Sequence, residues 1–185
     1  MSITSAKSGA TGISLALENN FMEPIASTLV GSGGSSVITF NDIPQTYKHL
    51  QLRVFGGNST TFQCIMQFNS DTATNYSSHR LTGTGAATAS AARTTVNSLN
   101  ILSYGGLYFA SSIASASVVD ILDYTNTNKY KTTRSLSGWD ANGSGYVEFE
   151  SGLWQSTVAI NSINLSMGSG IFAQNTRASL YGIKG

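Results

Sequence analysis

From Ala26 onward the apolar residues of this chain recur at every second position, a period that admits pleated strands and excludes an amphipathic helix. Leu50, Leu52 and Val54 take one side while His49, Gln51 and Arg53 take the other, as in a half-buried strand. Phe62, Cys64, Met66 and Phe68 repeat the pattern against Gln63, Ile65 and Gln67, which places Cys64 on the apolar side. Clusters of Gly, Ser, Asn and Thr separate such runs, and only Pro24 and Pro44 add further breaks. The phase slips once, from Val158 and Ile160 to Ile163, Leu165 and Met167, so a bulge or tight turn is expected near Asn161 and Ser162.

Eleven candidate strands result: 26–31, 36–40, 49–55, 61–68, 78–82, 94–102, 115–124, 131–137, 146–153, 158–167 and 178–183. They suit an all-β fold, an antiparallel jelly-roll-like β-sandwich over residues 26–185. The stretch 81–92, LTGTGAATASAA, has no side chain large enough to build a core and reads as an exposed loop. Residues 104–117 mix Gly, Ala and Ser into a flat surface suited to close packing against another subunit.

The first 25 residues lack this order. They read as an extended N-terminal arm with one helical turn around 17–21, carrying Ile13, Leu15, Leu17, Phe21 and Met22. Five sizeable apolar side chains gain nothing in water, so the arm packs either along its own domain or on a neighbour. These five are the candidate anchoring residues. At 185 residues the chain has the length of one domain plus such an arm.

Charge narrows the function. Charged residues make up 10% of the chain, against about 25% in an ordinary soluble domain, and Ser, Thr, Asn and Gly replace them. Ten Lys and Arg against nine Asp and Glu leave a net charge of +1, so no field draws the chain to nucleic acid or to an acidic membrane. A near-neutral surface resists self-association poorly, which points to an assembly. Few lysines or prolines protect the strand edges, and closure into a trimer or docking on a larger shell would cover them. One cysteine cannot close an intrachain disulfide, and no apolar run of about 18 residues or leader-like segment occurs, so the chain reads as soluble and unprocessed.

Chemistry finds little purchase. Asp71 and His79, with His49 as a third member, fall short of the four-ligand set of a structural zinc site, and Asp71 and Asn75 read instead as turn residues. If Asp123 points inward beside Tyr124 it needs a hydrogen-bonded or charged partner, with Arg134 the candidate. Glu148 and Glu150 share one side of a strand at roughly 7 Å, a glycosidase-like separation, but their neighbours suggest an ordinary amphipathic strand. Two histidines, no GxSxG turn and no phosphate-cradling glycine motif leave no nucleophile, no metal and no cofactor to assign. The chain is expected not to be an enzyme, with Cys64 buried and inert. Sugar stacking is the remaining option: Trp139, in SGWDANGSG, and Tyr130 are the candidate glycan-binding residues, whereas Trp154 reads as packing at a strand end.

Several runs carry a resemblance: SVITFNDIPQTYKHLQLRV from Ser36, QFNSDTATNYSSHRLTG from Gln67, DILDYTNTNKYKTTRSLSG from Asp120, SGLWQSTVAINSINL from Ser151 and the terminal SLYGIKG. Together they resemble a β-sandwich family of virion structural proteins in tailed, cyanophage-like and marine phages, over residues 13–185. The resemblance implies a virion protein, a decoration, appendage or tail fibre component, and supplies no catalytic residues. It implies a symmetric assembly, with a homotrimer as default, in contact with other capsid or tail proteins. The expected role is a capsid decoration or cement protein attached through its arm. The alternative is a tail fibre or appendage protein whose sandwich grips a host-surface glycan.

Overall fold

The structure, a computed structural model, describes residues 21–57, 63–102, 109–110 and 113–185. Among these the regular elements are all strands, thirteen of them, in two antiparallel sheets packed face to face as a β-sandwich. The large sheet runs β1 (Met22–Leu29), β13 (Arg177–Ile183), β3 (His49–Gly56), β9 (Ile113–Leu122), β10 (Lys131–Asp140), β11 (Gly145–Trp154), β5 (Tyr76–Gly83) and β6 (Thr88–Val96). The short β8 (Phe109–Ala110) pairs with the start of β9. The small sheet is β2 (Val37–Phe40), β12 (Ile163–Met167), β4 (Cys64–Phe68) and β7 (Leu99–Leu102).

The core lies where the small sheet covers the large one. Leu50, Leu52 and Val54 of β3, Val119 and Ile121 of β9 and Leu180 of β13 are buried, as are Ile38, Phe40, Met66, Phe68, Ile163 and Leu165 of the small sheet. Each such side chain contributes about 1.5 to 3 kcal/mol on leaving water. An aromatic trio joins the sheets: the Trp154 ring lies 5.5 Å from Phe68 and 6.2 Å from Tyr76, centroid to centroid.

The phase slip before β12 is absorbed outside the strand. Asn69 accepts the N–H groups of Asn161 and Ser162 on its side-chain oxygen, replacing the ladder bonds that the bend removes. Three expectations are corrected. The first strand begins at Met22, not at 26, so the last residues of the expected arm belong to the sheet. LTGTGAATASAA is a hairpin, not a loop: β5 continues to Gly83, β6 starts at Thr88, and Thr84 and Ala87 close the turn. Its small side chains suffice because β6 is an edge strand held by backbone bonds to β5. The expected strand 94–102 is two strands, β6 in one sheet and β7 in the other, because the chain crosses between layers.

Candidate functional site

Alternation within a strand is rigid, so one anchored residue sets the side taken by all the others. Trp154 anchors β11 in the core, and Gly152, Glu150, Glu148 and Tyr146 therefore face inward with it. Leu99 packs where a Cβ on Gly152 would sit, within 2.8 Å, which holds β7 against β11. Tyr76 does the same for β5, drawing Ser78 and Thr82 inward, and Val119 and Ile121 draw Ser115 and Ser117 inward on β9. On β10 the inward residues are Lys131, Thr133, Ser135 and Ser137.

The consequence is a sheet whose polarity is reversed at one end. On its outer face Val118, Leu136, Phe149 and Leu81 stand opposite one another in register across β9, β10, β11 and β5. They form a row about 14 Å long at the usual strand spacing. Their exposures are 38, 57, 44 and 56%, far above those of core residues. Phe55 and Val147, also exposed, flank the row, separated only by Ala116 and Gly138. The expectation of an ordinary amphipathic β11 is thus overturned: its acids are inside and its Val147 and Phe149 outside.

Inside, Glu148 is 1% exposed and Glu150 is 3% exposed. Glu148 Oε2 lies 3.4 Å from Thr82 Oγ1, which donates to it, and 3.8 Å from Arg80 Nε. Burial pushes the Glu150 carboxyl up to about 7; the nearby Ser78 hydroxyl opposes the rise, Glu148 adds to it, and Arg93 and Arg80 oppose it. Neither acid lines the open clefts of this surface, so the pair is not presented to a polysaccharide.

The other candidates resolve into structural roles. Asp71 accepts the Ala73 N–H at 2.9 Å, the Asn75 amide at 2.8 Å and the Trp154 indole N–H at 2.7 Å, tying the β4–β5 turn to the core. His79 is on the outer face, and His49 Nδ1 accepts the Asp123 N–H. Among the described residues no three His, Cys, Asp or Glu side chains gather as a metal site. The expected Asp123–Arg134 pair does not form: Asp123 pairs with Lys48 at 3.0 Å, and Arg134 with Asp120 at 3.1 Å. Asp120 is Arg134's partner in register, whereas Asp123 has left the strand in a left-handed turn with φ 47°. Lys48 beside it holds the Asp123 carboxyl below the usual range. Cys64 is buried, and burial pushes its thiol up, away from the reactive thiolate.

No family model and no curated protein matches this chain. Its function is therefore read from its own surfaces.

Tyr130 and Trp139 do not form one site. They sit at opposite ends of β10, nine residues and about 30 Å apart along an extended strand. Tyr130 is exposed, while Trp139 is half-buried with its ring edge-to-face against Tyr146 at 5.7 Å, beside a cleft of about 560 Å³. Of the anchoring candidates, Phe21 is exposed, and Met22 opens β1, its sulfur accepting a bond from Arg53. Ile13, Leu15 and Leu17 lie outside the described residues.

Proposed function

We propose that this chain is a structural protein of a tailed-phage virion, a capsid decoration or cement protein that assembles as a symmetric oligomer and attaches through its N-terminal arm. The observation that carries the assembly role is the apolar row Val118, Leu136, Phe149 and Leu81 on the outer face of the large sheet. A contiguous exposed apolar patch marks an interaction surface, and a sheet face packs on another sheet at about 10 Å. The net charge of +1 offers little repulsion between copies. Binding of this kind is large-area packing with no reaction step. The phage setting rests on the resemblance of the runs around 36–54, 67–83, 120–138 and 179–185.

Light scattering of the purified chain tests the assembly, with a trimer as the expected state. Leu136→Asp and Phe149→Lys should each release folded monomers with an unchanged β-type circular dichroism spectrum. A wild-type chain that is monomeric at micromolar concentration overturns the assembly reading. Electron microscopy of virions tests the placement: density for this sandwich on the capsid shell supports the decoration role. Density on the tail replaces it with the appendage role.

A further inference from the structure

We infer that one end of the large sheet carries a binding cleft for a neutral carbohydrate, built by Trp139, Tyr146 and Asp140 between the turns at 84–87 and 141–144. The inference rests on the cleft alone and holds whether the chain sits on capsid or tail.

The cleft has a volume of about 560 Å³, within the range of about 300 to 1,000 Å³ usual for small-ligand sites. A second hollow of about 410 Å³ shares Gly83 and Gly85 with it, so the surface continues from Trp139 to Thr88. Such an elongated, open shape suits a chain of sugar units better than a compact ligand.

Glycine makes the room. At Gly85 and Gly143, with φ of 83° and 118°, a Cβ would meet nothing within 4 Å, so the openness comes from the turn conformations themselves. Trp139 and Tyr146 are partners in register, and their rings stand 85° apart, one edge against the other face. Part of the indole packs on the core, which holds it rigid, while the remainder borders the cleft. A rigid aromatic beside hydroxyl and carboxylate acceptors is the combination that takes the apolar face of a sugar ring and its hydroxyl rim together.

Polar groups complete the site. Asp140 Oδ1 accepts the Asn142 N–H at 2.7 Å, which fixes the carboxylate at the rim, and Ser144 and Thr84 add hydroxyls on the two turns. Asp140 is the one charge among the lining residues. Its sign disfavours phosphorylated, sialylated or nucleotide ligands and leaves neutral hexoses and N-acetylhexosamines as the matching class.

The test is a printed array of neutral hexose and N-acetylhexosamine oligosaccharides beside sialylated and phosphorylated ones, probed with the full chain. The strongest binder is then titrated by tryptophan fluorescence. We expect binding to neutral members, weakened at least tenfold by Asp140→Ala and by Trp139→Ala, blocked by Ser144→Trp and unaffected by Leu136→Asp. Asp140 is the exposed last residue of β10 and Ser144 an exposed turn position, so their variants keep the test valid even if Trp139→Ala unfolds. Binding to no array member, binding to anionic members alone, or binding unchanged in Asp140→Ala and Ser144→Trp overturns the inference.

Discussion

The ring of Tyr47 occupies the space above Gly182, where a Cβ would fall within 2.5 Å of Tyr47 Cδ1. Its hydroxyl donates to Glu23 Oε2 at 3.0 Å, and Glu23 Oε1 takes the Lys184 ammonium at 2.5 Å. One aromatic ring thereby ties the segment before β3 to both β13 and the edge strand β1.

Gly182→Ala should therefore destabilise the fold by about 1 to 3 kcal/mol, the usual cost of forcing an extra methyl into a filled site. Urea unfolding measures it. Gly31→Ala is the control, because nothing lies within 4 Å of a Cβ there, and it should be neutral or gain up to about 1 kcal/mol.

Because β1 begins at Met22, the arm and the strand can be separated by truncation. Removing residues 1–20 should leave the melting temperature within a few degrees and abolish incorporation into particles. Removing residues 1–29 should lower stability markedly, since it deletes an edge strand and the Glu23–Lys184 ion pair. Thermal melts and particle assembly distinguish the two truncations, and normal incorporation without residues 1–20 removes the anchoring role.

Lys131 is fully buried, and its ammonium donates to the carbonyls of Asn126, Lys129 and Thr157 at 2.6, 3.0 and 3.1 Å. It acts as the tie for the 125–130 turn. Lys131→Met would strand those carbonyls and should cost about 3 kcal/mol in chemical unfolding. Amide exchange in the turn should rise with it.

Glu150 makes stability depend on pH. Below 4.5, its ordinary value, folded and unfolded carboxyls are both protonated and nothing is lost. Between 4.5 and about 7 the unfolded carboxyl ionises while the folded one holds its proton, so stability falls as pH rises. The full loss, reached above about pH 7, is on the order of 3 kcal/mol. Glu150→Gln should flatten this slope and raise the melting temperature at pH 8. Equal pH dependence in the two proteins would rule the carboxyl out as its source.

The motifs behave as packed units. The block at 47–53 and the terminal 180–185 meet through Tyr47 and Gly182, and the run from Gln67 meets SGLW through Asp71 and Trp154. Their spacing in sequence reveals strands and turns, but no local signal tells that Gly182 is a seat for a ring. The Trp139 cleft is similar: the glycines and the aromatic are visible in SGWDANGSG, while the contribution of Gly83 and Thr84 depends on β5 pairing with β11.

Alternation by itself determined that this is a β protein, where most of its strands lie within a few residues, and which residues share a side of those strands; it missed the start of β6, whose small side chains carry no alternation. It did not determine which side faces in. Phe149 and Leu136 look like core, and Glu148 and Glu150 like surface, to any reading by polarity. Tertiary structure decided otherwise, because Trp154 and Tyr76 must be buried between the sheets and the two-residue period carries that choice rigidly along β11 and β5. The outer apolar row and the raised Glu150 both follow from that one constraint.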